Sequence, residues 1–548
     1  MDVAFSSAFL ARSAEAAGFL AGDFRDPAAR LISALRAAQR PIDPRLLAEL
    51  RTQNEALGPS SARKAHLEAL ASPSGGYALV VTGQQLGLLL GPLYTIYKAA
   101  TAIAAAHQLS QESGVRCLPL FWLQTEDHDF AEIDHCVVYR PQDSPLTLQL
   151  APRPESRISV EHLCLGPEIE TQLSLLREAL SELPHAIPFL DQLTQHYRAG
   201  VSLVSAFSGL LAAIFSDEGL LFLDPRQPIV AELASPLYRR SLMMHREINT
   251  AMLTRTDALR AKGFAAQVRV RPDTSLLFFH PTGPTGPRYR LIHHDNGWLL
   301  PPQTGRDPLP ELRYSEADLL TILDREPLRF GTSALLRPLV QDSLLPTAMY
   351  VGGPGELNYF AQLAPLYEQL SVPPCLFLPR ARFRCTDDAC RSLLRKLAFP
   401  AAQIEASRTA LLDQIPRIAP EPQSAPPNLS TLRQKILADA ETQLTTLAAQ
   451  EKSLTDAVER TRRSLRINVD RLIGKYQRRL HERDRVHSDR IDRLQTLLFP
   501  DGVPQERVYS LPYFASRVGL LPFKELVLHS LREQSPFSEI YAVRELEL

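Results

Sequence analysis

Cysteine chemistry is the first thing this sequence lacks. The six cysteines (Cys117, Cys136, Cys164, Cys375, Cys385, Cys390) form no Cys-x-x-Cys pair and no zinc-ligand spacing. That excludes a zinc ribbon and a dithiol redox motif. The start, MDVAFSSAFLARS, has no basic-then-apolar leader, so the expectation is reduced thiols in a cytoplasmic protein. An excess of one charge is missing too: 60 Lys+Arg against 61 Asp+Glu leave a net charge of -1. No global field recruits nucleic acid or a membrane surface, and any such contact must be local. An uninterrupted apolar span is also absent. Leu86 to Ala106 is long enough to cross a bilayer, but Lys98 stands in its middle and Pro92 suits a helix start. The glycine turn ahead of it is no Walker A loop, because no Gly-Lys-Ser/Thr follows, and no Gly-x-Gly-x-x-Gly either.

What is present reads as alternating strands and helices. Residues 1–75 carry short amphipathic helices. "YALVV" (Tyr77–Val81) is a buried parallel strand ending in Thr82-Gly83, a helix follows from Pro92 to Leu109, and "RCLPLFWLQ" (Arg116–Gln124) is a second strand. Strand, helix, strand is a βαβ unit. "GLLFLDP" (Gly219–Pro225), "TAMYVGG" and "PPCLFLPRARF" supply further strands, giving a doubly wound parallel sheet. "AAQVRV", "SLLFFH" and "RYRLIHH" read as β-hairpins within an insertion spanning about 140–330. Prolines crowd between Pro272 and Pro310, predicting loops, and between Pro416 and Pro427, predicting a linker. The expected division is a core over 1–390, a linker over 391–428, a coiled coil over 429–498, and a segment over 499–548 that packs back on the core.

The coil rests on a 3,4 spacing of Leu437, Ala440, Leu444, Leu447, Leu454, Val458, Leu465 and Leu472, with Glu451, Thr461 and Asn468 at intervening seam positions. This predicts one long helix with Gly474 as its weak point and a register slip at Tyr476. From Arg460 to Arg493 there are 12 Lys/Arg against 5 Asp/Glu. That is a solvated face or a phosphate-binding one.

In open α/β sheets ligands bind beyond the carboxyl ends of the strands. Three polar clusters sit there. The first is Thr82-Gly83-Gln84-Gln85, with Tyr94 and Lys98 on the following helix. The second is Thr125-Glu126-Asp127-His128-Asp129, where carboxylates beside an imidazole suit proton transfer or water-mediated Mg²⁺. The third is Arg337, Gln341 and Asp342, followed by Gly353, Gly355, Glu356, Asn358 and Tyr359. Arg337 suits a substrate carboxylate or phosphate. Equivalent strand ends predict that the three converge. They define a site without naming a reaction, and no residue is assigned as a metal ligand.

Together "VTGQQLGLLLGPLYTIYK", "FWLQTEDHDFAEIDH" and "RPLVQDSLLPTAMYVGGPGELNYFAQL" resemble the bacillithiol biosynthesis cysteine-adding enzyme family. The resemblance runs through the chain in order, including the late coil and "FPDGVPQER". It implies a Rossmann-like parallel sheet core with inserted connecting-peptide regions and a long C-terminal α-helical coiled coil that makes a homodimer. It also implies a cytoplasmic ligase joining L-cysteine to glucosaminyl-malate. ATP, with or without Mg²⁺, would activate the cysteine as an adenylate, and no cofactor is tightly bound. On this reading Asp127, His128 and Asp129 are catalytic. Thr82, Gly83, Gln84, Gln85, Tyr94, Lys98, Glu126, Arg337, Gln341, Gly353, Gly355, Glu356, Asn358 and Tyr359 bind substrate or nucleotide. Partners are small molecules, not membrane or nucleic acid. The resemblance extends to nucleotidyl-transferring synthetases, yet the HxGH and KMSKS signatures of those enzymes are absent. Gln84 and Gln85 stand where the first would lie, keeping hydrogen bonding and removing titratable charge. The competing classes are another nucleotide-dependent ligase or transferase, and a nucleotide-binding coiled-coil scaffold.

Overall fold

The computed structural model describes residues 4–72, 76–141, 144–151, 157–304, 308–414, 428–483, 485–538 and 541–548. Two compact units divide the chain: 1–385 with 506–548, and 386–505.

The first unit is organised by five parallel strands: β1 (Tyr77–Gln84), β2 (Arg116–Leu123), β3 (Leu221–Leu223), β4 (Thr347–Gly352) and β5 (Leu376–Pro379). Their spatial order is β5-β4-β1-β2-β3. The sheet grows from β1 in both directions, so the carboxyl ends of β1 and β4 flank the point where the winding reverses. That is where such sheets open a ligand crevice. β1 runs farther than the apolar run predicts, because its pairing with β2 continues to Gln84 opposite Leu123. That approach depends on Gly83, where a Cβ would stand 2.8 Å from the Trp122 carbonyl oxygen. Helix α1 (Tyr94–Ser113) follows β1 and ends on Gly114 in the left-handed region, with its N–H donating to the Ser110 carbonyl. Its alanines, Ala102, Ala105 and Ala106, are buried in the core with Val80 and Leu120. Small side chains let a helix lie close to a sheet, and this run is core rather than a membrane span. Among the described residues no helix is long and apolar enough to cross a membrane.

Between β3 and β4 the chain builds an antiparallel sheet, in the order Phe330–Thr332, Thr274–Phe279, Tyr289–His294, Gly297–Leu300, Leu312–Ser315. Two of the expected hairpin segments take part. The third, "AAQVRV", is not a strand: Gln362 accepts from the Val268 N–H at 3.0 Å and donates to the Val268 carbonyl at 2.9 Å, replacing a ladder partner. "PPCLFLPRARF" makes two strands rather than one. Arg382–Thr386 leaves the parallel sheet and pairs with Val543–Glu547, near the chain's end.

The 386–505 unit is helical, with α2 (Leu429–Gln450) and α3 (Thr455–Arg483) as its longest elements. The predicted single long helix is broken at Glu451, whose φ of -138° is not helical. Its carboxylate accepts from the Ser453 N–H, and the chain reverses there. Ion pairs Arg433–Asp470 (2.6 Å) and Arg462–Glu441 (3.0 Å) tie α2 to α3 as an antiparallel coil within one chain. On α2 the seam includes Leu437, Ala440 and Leu444 as expected, then Ala448 in place of exposed Leu447. On α3 it follows Val458, Arg462, Leu465, Val469 and Ile473. Asn468 and Leu472 are therefore one position out, and the register departs from prediction before Tyr476. The helix continues through Gly474 unbroken.

Candidate active site

Three strand ends open on one cleft of about 860 Å³ in the first unit. From the β1 end come Gln84 and Gln85, with Tyr94 and Lys98 from α1. The β2 end gives Glu126, Asp127 and His128. Arg337, Gly353, Gly355, Glu356 and Tyr359 come from the region around β4. All twelve belong to the expected set. Five do not line the cleft. Thr82 donates to the Val351 carbonyl at 2.9 Å and ties β1 to β4. Gly83 serves strand packing. Gln341 is fully buried, bridging Arg337 and Asp342. Asn358 accepts from the Ser6 N–H at 2.7 Å and donates to Gln267. Asp129 is exposed and acts only through its charge, which helps raise the proton affinity of Glu132.

The two sides of the switch point are joined by Lys98. Its ammonium donates to the Gly83 carbonyl (2.9 Å), to Gln84 Oε1 (2.9 Å) and to Glu356. Three acceptors use its three protons. Glu356 also accepts from Tyr350 Oη (2.6 Å) and from the Gly353 N–H (2.8 Å). Burial pushes this carboxyl up, but the Lys98 charge and these hydrogen bonds outweigh it and hold it below its ordinary value. Arg337 is buried and donates to Gln341, Tyr350 and Tyr359 at 3.1–3.2 Å. Most of its fork is therefore committed to the protein.

Asp127 is the hub of the other side. It accepts from Gln85 Nε2, from the His128 N–H (2.7 Å) and from Arg288 Nη2 (2.7 Å). Burial raises its carboxyl, yet the Arg288 charge, the Gln85 amide and the His128 backbone N–H hold it well below the usual range. The same guanidinium donates through Nε to His128 Nδ1 at 3.0 Å. An arginine N–H always carries its proton, so Nδ1 accepts and the neutral ring bears its proton on Nε2. His128 thus offers the cleft a donor. Glu126, buried and bonded to Thr332, is pushed up by desolvation. Cys136 also lines the cleft. Burial pushes its thiol up to about 12, so it is no thiolate nucleophile at neutral pH.

Sequence reasoning missed several cleft residues: Gln124, Arg288, Arg290, Arg380 and Arg507. Arg380 forms a two-pronged ion pair with buried Glu506 at 2.9–3.0 Å. The alternation in "PRYRL" could have flagged Arg288 and Arg290 as neighbours on one strand face.

Four residues of the cleft wall have a buried polar atom without a hydrogen-bond partner among the described residues: Thr95 Oγ1, Trp122 Nε1, Ser333 Oγ and Ser510 Oγ. A buried unpaired polar group costs about 1–3 kcal/mol, and these atoms lie behind the cleft surface rather than on it. Among the described residues, no three His, Cys, Asp or Glu side chains are grouped to hold a metal ion.

A Rossmann-like strand order, a polar cleft at the switch point and a separate helical hairpin define an α/β protein with a coiled-coil unit. The models of two family domains match the chain: "Bacillithiol biosynthesis BshC, N-terminal Rossmann-like domain" over residues 5–381, and "Bacillithiol biosynthesis BshC, C-terminal coiled-coil domain" over residues 387–541. The chain belongs to the BshC family of bacillithiol biosynthesis. Similar proteins carrying the name "Putative cysteine ligase BshC" include one from Salinibacter ruber, 31% identical over 96% of this chain and 94% of the relative. Others are from Koribacter versatilis (32%, 87% and 86%) and Geobacillus thermodenitrificans (28%, 80% and 80%). Membership places the chain among ligases.

Proposed function

We propose that the chain joins L-cysteine to glucosaminyl-malate, forming the amide bond that completes bacillithiol. The relatives' name supports cysteine ligation. The observation that carries the reading is the convergence, on one cleft, of the Gln85–Asp127–Arg288–His128 cluster with the Lys98–Glu356 bridge. ATP, with or without Mg²⁺, supplies activation of the cysteine carboxylate as an adenylate. The cleft suits such ligands in size, and Arg507, exposed at the edge, suits phosphate or carboxylate oxygens.

The protein's own residues do the rest. His128 Nε2–H donates to the oxygen of the acyl centre as charge gathers there, and Arg288 keeps the ring in that tautomer. Glu132 lines the cleft with its carboxyl raised by burial and by the Asp129 and Asp127 charges. It would take the proton released when the sugar amine attacks the acyl carbon and the acyl–phosphate bond breaks, releasing AMP. The Lys98–Glu356 bridge and the Arg337–Tyr350–Tyr359 network set the spacing of the strand ends. Catalysis is positioning plus electrostatics. We place the reaction in the cytoplasm, with the chain working as a homodimer through its coil.

The test is mass spectrometry of thiols from cells with and without the gene. The expected result without it is loss of bacillithiol and accumulation of glucosaminyl-malate. Persistence of bacillithiol without that accumulation would overturn the assignment.

A further inference from the structure

The cations of the cleft can be matched against their partners. Lys98 has Glu356, Arg380 has Glu506, Arg288 has Asp127, and Arg337 has two tyrosine hydroxyls. Arg507, exposed at the edge, and half-buried Arg290 have no acidic or hydrogen-bonding partner among the described residues, and of the two Arg290 is the one set into the wall. It lies opposite Phe278 in the antiparallel sheet, its guanidinium 5.0 Å from the ring centroid. Arg288 stands 4.3 Å from the same ring, and the His128 ring is 5.9 Å away, edge-on. Phe278 thus gathers Arg288, Arg290 and His128 around one apolar plate. Burial, and then the like charge of exposed Arg271, work against the Arg290 charge. Arg288 and Arg290 bring two guanidiniums to one ring of a partly desolvated cleft with one carboxylate, Asp127, between them, and the remaining charge suits a bound anion.

We infer that Arg290 is the anion anchor of the cleft, gripping a carboxylate of the acceptor substrate beside His128. This rests on the ligase reading, in which the acceptor carries the malyl dicarboxylate. The planar fork suits a carboxylate bidentately, and the Phe278 ring holds the fork flat. Because Arg290 touches the part of the acceptor that does not react, it sets which sugar amine is accepted.

The same oxyanion chemistry is offered by a nucleotide phosphate, so the experiment separates the two. L-Malate and inorganic phosphate are each titrated calorimetrically into the full-length wild type, R290Q and R290K. Circular dichroism verifies that each variant folds, and kinetics are measured with glucosaminyl-malate. The expected result is malate binding weakened about 10- to 100-fold in R290Q and partly restored in R290K. KM for glucosaminyl-malate rises by a similar factor, with kcat within a few-fold. Unchanged malate binding in R290Q, or no malate binding by the wild type, overturns the anchor. So does a loss confined to phosphate, which would put Arg290 on the nucleotide. If R290Q loses malate while the wild type makes no bacillithiol, the anchor stands and the ligase reading falls. Ligation with R290Q kinetics and malate binding unaltered has the opposite meaning.

Discussion

Replacing Lys98 by methionine tests the bridge across the switch point. The substitution keeps the length of the side chain and strips the charge from a site that is 2% exposed. Three acceptors lose their donor at once: the Gly83 carbonyl, Gln84 Oε1 and Glu356. Glu356 keeps Tyr350 and the Gly353 N–H and still feels the Arg337 charge, but this largely buried carboxylate loses its one paired cation. Breaking a buried pair from one side costs about 3–5 kcal/mol, whereas removing both charges is often near neutral. K98M should therefore lose about 3–5 kcal/mol, E356Q a comparable amount, and K98M/E356Q much less than their sum, a coupling of at least about 2 kcal/mol. Chemical denaturation followed by tryptophan fluorescence suits the measurement, because the two tryptophans, Trp122 and Trp298, both lie in the α/β unit. The pH dependence adds a signed check. Glu356 is held below its ordinary value, so its stabilisation is fully present above the unfolded carboxyl pKa, about 4.3, and disappears as pH falls through the folded one. That acid-side loss should vanish in E356Q. A K98M protein within about 1 kcal/mol of wild type, or strictly additive single mutants, would refute the reasoning.

Arg288→Gln releases both Asp127 and His128 Nδ1, so kcat in the cysteine-ligation assay should fall about 100-fold, and ¹⁵N spectra should show His128 leaving its pure Nε2–H tautomer; wild-type kcat and tautomer would contradict the assignment. Asp127 is held well below the carboxylate range, so its stabilisation persists above the unfolded pKa, about 3.9, and is lost only on acidification through the folded value; kcat/KM should show no Asp127 limb between about pH 5 and 8, and a limb abolished by D127N would count against this. Iodoacetamide at pH 8 should label exposed Cys164 ahead of Cys136, as peptide mass spectrometry would show, and a faster Cys136 would be inconsistent with its burial. In the coil, Leu472 is 66% exposed on α3, so a dimer formed through its face should dissociate in L472E by sedimentation equilibrium while the helix content holds; an unchanged mass would remove that face from the dimer contact.

The legible parts of the sequence were those governed by local pattern. Apolar runs closed by a polar residue marked β1, β2 and β4, and each is a parallel strand, buried except at Gln84 and Arg116, whose carboxyl end leads into side chains of the cleft. Heptad spacing marked the coil but not its reversal. The 3,4 pattern continues across Glu451, and only the backbone there, with the carboxylate accepting from Ser453, shows that the two halves face each other. "AAQVRV" read as a strand by its alternation, and a side chain 94 positions away, Gln362, took its hydrogen bonds.

The site was harder to read because its chemistry depends on which groups are already taken. Arg337 looks from the sequence like the substrate's counter-ion, but its neighbours Tyr350 and Tyr359, 13 and 22 residues on, bind most of its fork. His128 looks like a base beside two carboxylates, but Arg288, 160 residues away, occupies the nitrogen that would accept a proton. In both cases residue type suggested the role and a long-range partner reassigned it. A cation keeps its charge for a substrate only where the fold brings it no acid. Among the cleft cations that meet this condition, Arg290 is the half-buried one and Arg507 the exposed one, and Arg290 lies in a stretch whose alternation marked it only as half of a hairpin.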